Sequence, residues 1–347
     1  MPAPLPLPDA PDVAYLLDLS SLARGLFETL KPMTTADGEP VVVTSAIVTR
    51  LVKILALHRP AFLGVCADCP TAIGDEESPE DARRRRYWRA REWPGYKAGR
   101  EPPGPEYDTQ IDRLFDIFHA HRIPVFRAAG FEADDFFGAL VPKLRRLGLR
   151  VLIVSKDHDL WQLLGRGVGV WDGVSTDCYF SRDVEAKYGV PPGWLAALLA
   201  LAGDGDEAPG LPGVGLARAA KLIARHVPQE GAPLDAAGVV ERVLARWQWE
   251  TTAAGKLSKV GEALRAGGEL ARLSLRLVEL REAGVPVVLD LSEMRVGWGE
   301  DDAERIRALG AELSIADMRA VAAQPKKTMP EALVRRWLEA EASEERA

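Results

Sequence analysis

Short aliphatic runs at 13–17, 62–67, 125–127, 151–154 and 168–171 recur along the first half of the chain, separated by longer stretches of helical periodicity. Runs this short, without polar alternation, have no solvent face and are predicted to be strands buried on both sides, the pattern of a parallel sheet. Between the first two runs, 45–58 places Ile47, Leu51, Ile54 and Leu55 on one helical face, and 134–147 carries a comparable apolar stripe. Both are expected to be crossover helices of an α/β fold. Beyond about 191 the pattern changes to helices joined by Gly/Pro turns, which predicts a second, mainly helical subdomain.

The acids fall at the strand ends. Asp18 follows Tyr15-Leu16-Leu17, Asp68 follows Val65-Cys66-Ala67, and Asp157 and Asp159 follow the run 151–154. In open α/β sheets the carboxyl edge is where ligands bind, so these acids are expected to converge in one crevice. Glu132, Asp134 and Asp135 add three more where a loop enters a helix. Carboxylates gathered this closely raise one another's pKa unless cations neutralise them. A site rich in carboxylate and poor in His and Cys suits Mg²⁺ or Mn²⁺ rather than zinc. Two such ions activate a water and stabilise the leaving oxygen in phosphoryl displacement. For any single Asp a helix cap is the plainer reading, and Asp135 and Asp159 are as readily explained that way.

The formal net charge of −7 is unusual for a nucleic-acid binder, but its distribution is uneven. From Arg83 to Arg100 there are seven Arg and one Lys against one Glu, directly after the acidic run 75–81. Taken alone, such a run reads as a solvated helix face. Three cysteines, Cys66, Cys69 and Cys178, are too few for a disulfide framework, and Cys66-Ala67-Asp68-Cys69 has no partner pair to make a zinc site. No window is apolar enough to span a membrane, and the start Met1-Pro2-Ala3-Pro4-Leu5-Pro6 lacks the basic flank and apolar core of a signal peptide, so a cytoplasmic protein is expected. His58, His119, His121 and His226 show no ligand spacing, and Trp247 and Trp249 read as packing residues.

Six motifs in order then resemble the 5′ nuclease family, in particular the amino-terminal 5′-3′ exonuclease domain of bacterial DNA polymerase I and the flap endonucleases. They are Leu16-Leu17-Asp18, the segment 33–40 (Met-Thr-Thr-Ala-Asp-Gly-Glu-Pro), the segment 93–100 (Trp-Pro-Gly-Tyr-Lys-Ala-Gly-Arg), the segment 130–135 (Gly-Phe-Glu-Ala-Asp-Asp), the segment 155–160 (Ser-Lys-Asp-His-Asp-Leu), and Gly203-Asp204 leading into 209–215 (Pro-Gly-Leu-Pro-Gly-Val-Gly). The resemblance runs over about 13–323. It implies a PIN-like parallel sheet flanked by helices at 13–190, with a helical arch near 69–106, and a helix-hairpin-helix-like subdomain at 191–323. The segment 1–12 is expected to be disordered and 324–347 to be a peripheral tail. No polymerase domain follows, which implies a stand-alone nuclease.

The resemblance implies metal ligation by Asp18, Asp68, Glu132, Asp134, Asp135, Asp157, Asp159 and Asp204, with one further acid. The segment 203–210 is one residue shorter than the family pattern, so either Asp206 takes that role at closer spacing or Glu207 keeps the spacing with a longer side chain; Asp206 is slightly preferred. Lys97 and Arg100 are implied as catalytic phosphate contacts, and Arg89 as a second nucleic-acid contact. Gly210, Gly213 and Gly215 are implied to grip a duplex backbone through main-chain amides, with K⁺ at that turn. Expected substrates are DNA 5′ flaps, nicks and duplex 5′ ends, with RNA–DNA hybrids a further class, in replication or repair. Other departures are Leu19 for Gly, Arg24 one place early, His158 where the family carries Lys, and about a dozen extra residues between Asp68 and Trp88-Arg89. The departures at Leu19, His158 and the shortened segment 203–210 motivate a rival reading, a catalytically weakened nuclease fold that binds branched DNA. A small-molecule phosphoryl-transfer enzyme is a second rival.

Overall fold

A computed structural model describes residues 13–70, 87–173, 178–228 and 234–296, with 304 and 308–309. The expected amino-terminal segment 1–12, the acidic run 75–81, the arginines 83–86 and the tail 324–347 lie outside the described residues. In chain order the elements of the sheet half are β1 (Val13–Asp18), α1 (Leu19–Thr29), α2 (Val42–Lys53), β2 (Phe62–Cys66), α3 (Trp88–Glu92), α4 (Pro105–Ala120), β3 (Val125–Phe126), α5 (Ala133–Arg146), β4 (Arg150–Val154), β5 (Val168–Trp171) and β6 (Cys178–Tyr179). Then follow α6 (Ser181–Tyr188), α7 (Leu195–Ala202), α8 (Leu216–His226), α9 (Ala236–Leu244), α10 (Lys259–Ala266), α11 (Gly268–Val278) and α12 (Leu291–Met294).

The six strands are ordered β3-β2-β1-β4-β5-β6, all parallel except the β5–β6 pair. The order reverses between β1 and β4, which makes the carboxyl ends of those two strands the switch point where an open sheet leaves a crevice. Alternation with period two sorts the side chains into two layers. Ala14, Leu16, Val151 and Ile153 enter one buried cluster, while Tyr15, Leu17, Leu152 and Val154 enter the other. The second layer is covered by α1, α2 and α4, the last through Leu114, Ile117 and Phe118.

The first layer is covered by α5 and also by α7, α8, α9 and α11, so the helices beyond 191 share one apolar cluster with the sheet. The strand-forming run at 178–179 is only two residues long and pairs antiparallel at the sheet edge, which no periodicity in the sequence announces. The helix expected at 45–58 starts earlier, at Val42, and its last turn widens into a π-helix over Ile54–His58. Among the described residues, no helix is long and apolar enough to cross a membrane.

One local constraint shapes the site. Gly203, which ends α7, and Gly210 come so close that a Cβ on Gly210 would lie 2.1 Å from the Gly203 nitrogen, and both have positive φ. Only glycine permits that approach. Between them, Asp204 and Ala208 form a bridge, and the Glu207 amide donates to the Asp204 carbonyl at 2.7 Å. The resulting tight hairpin fixes which of its acids faces inward.

Candidate active site

Asp18 is both the last residue of β1 and the N-cap of α1. One carboxylate oxygen accepts from the Ser21 amide at 3.0 Å and the other from the Ser155 hydroxyl at 2.7 Å. Ser155 follows β4, so this bond ties the two strand ends at the switch point together. Burial pushes the Asp18 carboxyl up to about 7, and the Asp157 charge adds to the shift. Asp68, just past β2, caps α5 from across the crevice by accepting from the Ala133 amide at 2.8 Å, while its own amide donates to Ser20 Oγ at 2.9 Å. Burial raises its carboxyl as well, with the Glu132 charge next. Carboxylates at a helix amino terminus are favoured by the helix dipole, which is why α5 tolerates Asp68, Glu132, Asp134 and Asp135 around its first turn.

Those α5 acids hold two cations. Arg89, on α3, is 1% exposed; its guanidinium lies 2.9 Å from Glu132, 3.0 Å from Asp134 and 2.9 Å from Asp135. Its Nε donates to the Leu277 carbonyl at 2.7 Å, which locks α3 to α11. Trp88 Nε1 donates to Asp135 at 3.1 Å and Tyr96 Oη to Glu132 at 2.8 Å. Lys97 Nζ donates to Glu132 at 2.8 Å and lies 3.2 Å from Glu207. Lys97 has φ of 49°, a left-handed backbone that costs a non-glycine residue about 1 kcal/mol or more, held by its amide donating to the Asp206 carbonyl at 2.8 Å. Three carboxylates against two cations leave a surplus negative charge. Against the cost of burial, Lys97 and Arg89 hold the Glu132 carboxyl down at about 2, whereas burial and its like-charged neighbours drive Asp134 well above the ordinary range despite Arg89.

On the other side of the crevice, Asp157 follows β4 and its amide donates to Ser155 Oγ at 3.0 Å; it accepts in turn from the Asp159 amide at 2.9 Å. Asp159, Asp204 and Glu207 each offer a carboxylate oxygen within 4.8 Å of the others. Burial and the surrounding acids raise Asp159 strongly and Asp204 to about 6. These residues line an open cleft of about 480 Å³ together with Arg100, Lys156, His158 and Tyr188. An all-oxygen, anionic donor set of this kind fits a hard divalent cation.

Of the expected ligands, Asp18, Asp68, Glu132, Asp134, Asp157, Asp159 and Asp204 gather around this crevice, while Asp135 is turned back to cap α5, accepting from the Glu132 amide at 2.9 Å. Asp206 does not join them. At the hairpin tip it is 43% exposed and paired with Arg100 at 2.8 Å, while Glu207, at 19%, turns inward to Asp159 and Asp204. Arg89, expected to meet phosphate, instead faces inward to the carboxylates of Glu132, Asp134 and Asp135; nothing in its arginine-rich sequence context distinguishes a buried guanidinium from a solvated one. The Gly210 amide, expected to face DNA, donates to the buried Ser274 hydroxyl at 3.0 Å; Gly213 and Gly215 stand in open space, Gly215 as the N-cap of α8. Sequence reasoning missed Ser20, Ser155, Trp88 and Tyr96, all hydrogen-bonded to site acids or their amides; the serines lie beside strand-end acids and the aromatics beside Arg89 and Lys97, and that adjacency was the available signal. Cys66 is buried in β2 and its thiol pushed up by burial, in keeping with a packing residue.

A sequence profile described as 5′-3′ exonuclease, N-terminal resolvase-like domain, matches residues 13–189, more than half of the 347. The chain belongs to this 5′-3′ exonuclease family. It is 32% identical over 285 residues to DNA polymerase I of Rhizobium leguminosarum, covering 82% of this chain and 26% of that protein. It is 29% identical over 268 residues to a 5′-3′ exonuclease of Aquifex aeolicus, covering 77% of this chain and 81% of that one. The chain thus spans about a quarter to a third of the length of its DNA polymerase I relatives. In fold it is similar to a zinc-bound 5′-exonuclease of bacteriophage T5, with a TM-score of 0.57 at 20% identity, covering 86% of this chain and 98% of that one.

Two consequences follow for this exonuclease-family site. Arg89→Met removes the shared partner of three buried acids and is expected to cost about 3–5 kcal/mol in EDTA, part of it recovered by Mg²⁺, as read by thermal unfolding; an unchanged melting temperature would show that Arg89 does not neutralise the cluster. For Asp18, the folded-state value of about 7 lies above the ordinary value of 3.8, so between those values the folded chain binds more proton than the unfolded one and stability falls as pH rises. In EDTA, Asp18→Asn is therefore expected to raise the melting temperature most at pH 8, less at pH 5, and hardly at all below about pH 3.8. A variant equally or more destabilised at pH 8 would contradict the shift.

Proposed function

We propose that this member of the 5′-3′ exonuclease family hydrolyses DNA phosphodiesters at 5′ ends and at single-strand/double-strand junctions, with flaps, nicks and duplex 5′ ends as substrates and RNA–DNA hybrids as a further class. The observation that carries this reading is Lys97 suspended between two groups of carboxylates at the sheet's switch point, with Glu132 on one side and Glu207 on the other. A cation so placed, between two groups of carboxylates suited to divalent ions, is positioned to meet the phosphate of a strand entering the crevice.

In this reading Asp18, Asp68, Glu132, Asp134 and Asp135 serve one side of the site, and Asp159, Asp204 and Glu207 the other, with Asp157 between them. Glu207, not Asp206, is the last ligand, because its carboxylate and not that of Asp206 approaches Asp159 and Asp204. When bound, Mg²⁺ or Mn²⁺ would acidify a water and stabilise the leaving oxygen. The chain's own residues do the rest. Lys97 and Arg100 leave their carboxylates for the phosphate and offset the charge that builds as water attacks phosphorus and the opposite P–O bond breaks. Asp18 and Asp68, fixed by Ser155, Ser20 and the α5 amide, keep their carboxylates oriented without reorganisation. Gly213, Gly215 and the amino terminus of α8 are offered to the duplex backbone, with K⁺ as the ion of that turn.

The test is cleavage of a 5′-labelled flap duplex in Mg²⁺, in Mn²⁺ and in EDTA. Metal-dependent cutting near the junction is expected, lost by at least about a hundredfold in Asp134→Ala and in Glu207→Gln but reduced only a few-fold in Asp206→Asn. Tight junction binding without cutting in either metal would favour a protein that only binds branched DNA. Loss in Asp206→Asn but not in Glu207→Gln would reverse the ligand assignment.

A further inference from the structure

Around the cleft, three cations are already paired: Arg89 with three carboxylates, Lys97 with Glu132 and Glu207, Arg100 with Asp206 and Glu207. Lys187, near the end of α6, is different. Among the described residues it has no carboxylate within ion-pair distance, and its ammonium is 2.8 Å from Nδ1 of His158, the residue between Asp157 and Asp159 that lines the cleft. An ammonium has only donors, so Nδ1 must be the acceptor, and the imidazole is therefore the neutral tautomer with its proton on Nε2. The ring becomes a donor polarised by a full charge behind it.

The pair is held in place. His158 packs against Trp161 with ring centroids 4.4 Å apart, and Trp161 against Tyr179 at 4.7 Å. Lys187 Nζ sits 4.7 Å from the Trp161 ring and 5.0 Å from the Tyr188 ring. Aromatic faces stabilise the cation without neutralising it, whereas a carboxylate partner would cancel its charge. The lysine is exposed and the histidine lines the cleft wall.

We propose that Lys187 and His158 together form a composite cationic contact for a DNA backbone phosphate at the lip of the cleft, a nucleic-acid-binding site that supplements Lys97 and Arg100. It supplies, through a neutral ring, the positive charge that a lysine at position 158 would carry directly. The inference rests on the nuclease reading given above, since a phosphate-bearing strand must pass this lip.

Equilibrium binding of a labelled 5′-flap duplex in EDTA, measured by fluorescence anisotropy across a range of salt concentrations, tests it apart from catalysis. Lys187→Gln keeps most of the side-chain stem and so preserves the packing on Trp161. It is expected to weaken binding about tenfold and to lower the slope of log affinity against log salt by about 0.9, the loss of one phosphate contact. Adding His158→Ala to it should cost little more, because the two act as one unit. Placing His158→Lys in the Lys187→Gln background should restore both affinity and slope. Wild-type affinity and slope in Lys187→Gln would overturn the proposal, as would a loss of affinity with an unchanged slope that His158→Lys fails to rescue. If the wild-type chain bound no flap duplex in EDTA and cut none in Mg²⁺ or Mn²⁺, the nuclease reading would fail and this inference with it, an outcome distinct from an unaffected Lys187→Gln.

Discussion

Carboxylates brought within a few ångströms of one another at the carboxyl edge of a sheet repel more strongly as water is excluded. The sheet creates that situation here by its topology. Reversal of strand order between β1 and β4 opens a crevice, and the chain sends Asp18, Asp68 and Asp157 into it from three strand ends while α5 adds Glu132, Asp134 and Asp135 from its first turn. The fold tolerates the charge in three ways. Helix amino termini and amides take some of it, as with Asp18 and Asp68. Arg89 and Lys97 balance part, and what remains shows in the raised carboxyls of Asp18, Asp134 and Asp204, each pushed up by burial first and by neighbouring acids next.

The same repulsion explains how structure becomes function. A site that needs cations to be comfortable is preorganised for them, and Lys97 between the two carboxylate groups ties the loop 93–100 to the hairpin 204–208 through Asp206 and Glu207. Arg89 has a different position from Lys97: it is fully enclosed and also fastened to α11 through Leu277, so it holds the acids of α5 in place while Lys97 and Arg100, both partly exposed, remain able to exchange partners. The left-handed backbone at Lys97 is local strain held in place by its amide bond to the Asp206 carbonyl.

Much of the fold was legible because burial on both faces leaves an unambiguous mark. The runs that became β1, β2, β4 and β5 are aliphatic with no polar alternation, and an acid directly after such a run can only lie at the strand's carboxyl end. That logic located Asp18, Asp68 and Asp157 with no family information. It failed where tertiary contact decides. The inward turn of Arg89 depends on carboxylates more than forty positions away in sequence, from Glu132 to Asp135. That Glu207 and not Asp206 turns toward Asp159 and Asp204 depends on a hairpin closed by two glycines in backbone contact, and spacing alone favours neither. The Gly210 amide was misread for a similar reason: its partner, Ser274, arrives from α11. The two-residue β6 is specified by its neighbour β5 and not by any pattern of its own.

The central claim, that this carboxylate crevice is built to hold divalent ions on both sides of Lys97, is tested most directly by diffraction from crystals of the protein soaked in Mn²⁺, with data collected for anomalous signal. The account predicts anomalous peaks against the Asp159, Asp204 and Glu207 carboxylates and against those of Asp68, Glu132 and Asp134, with Lys97 Nζ displaced from at least one of its carboxylate partners. A map with no Mn²⁺ at either group, and with Lys97 still bridging Glu132 and Glu207, would contradict it.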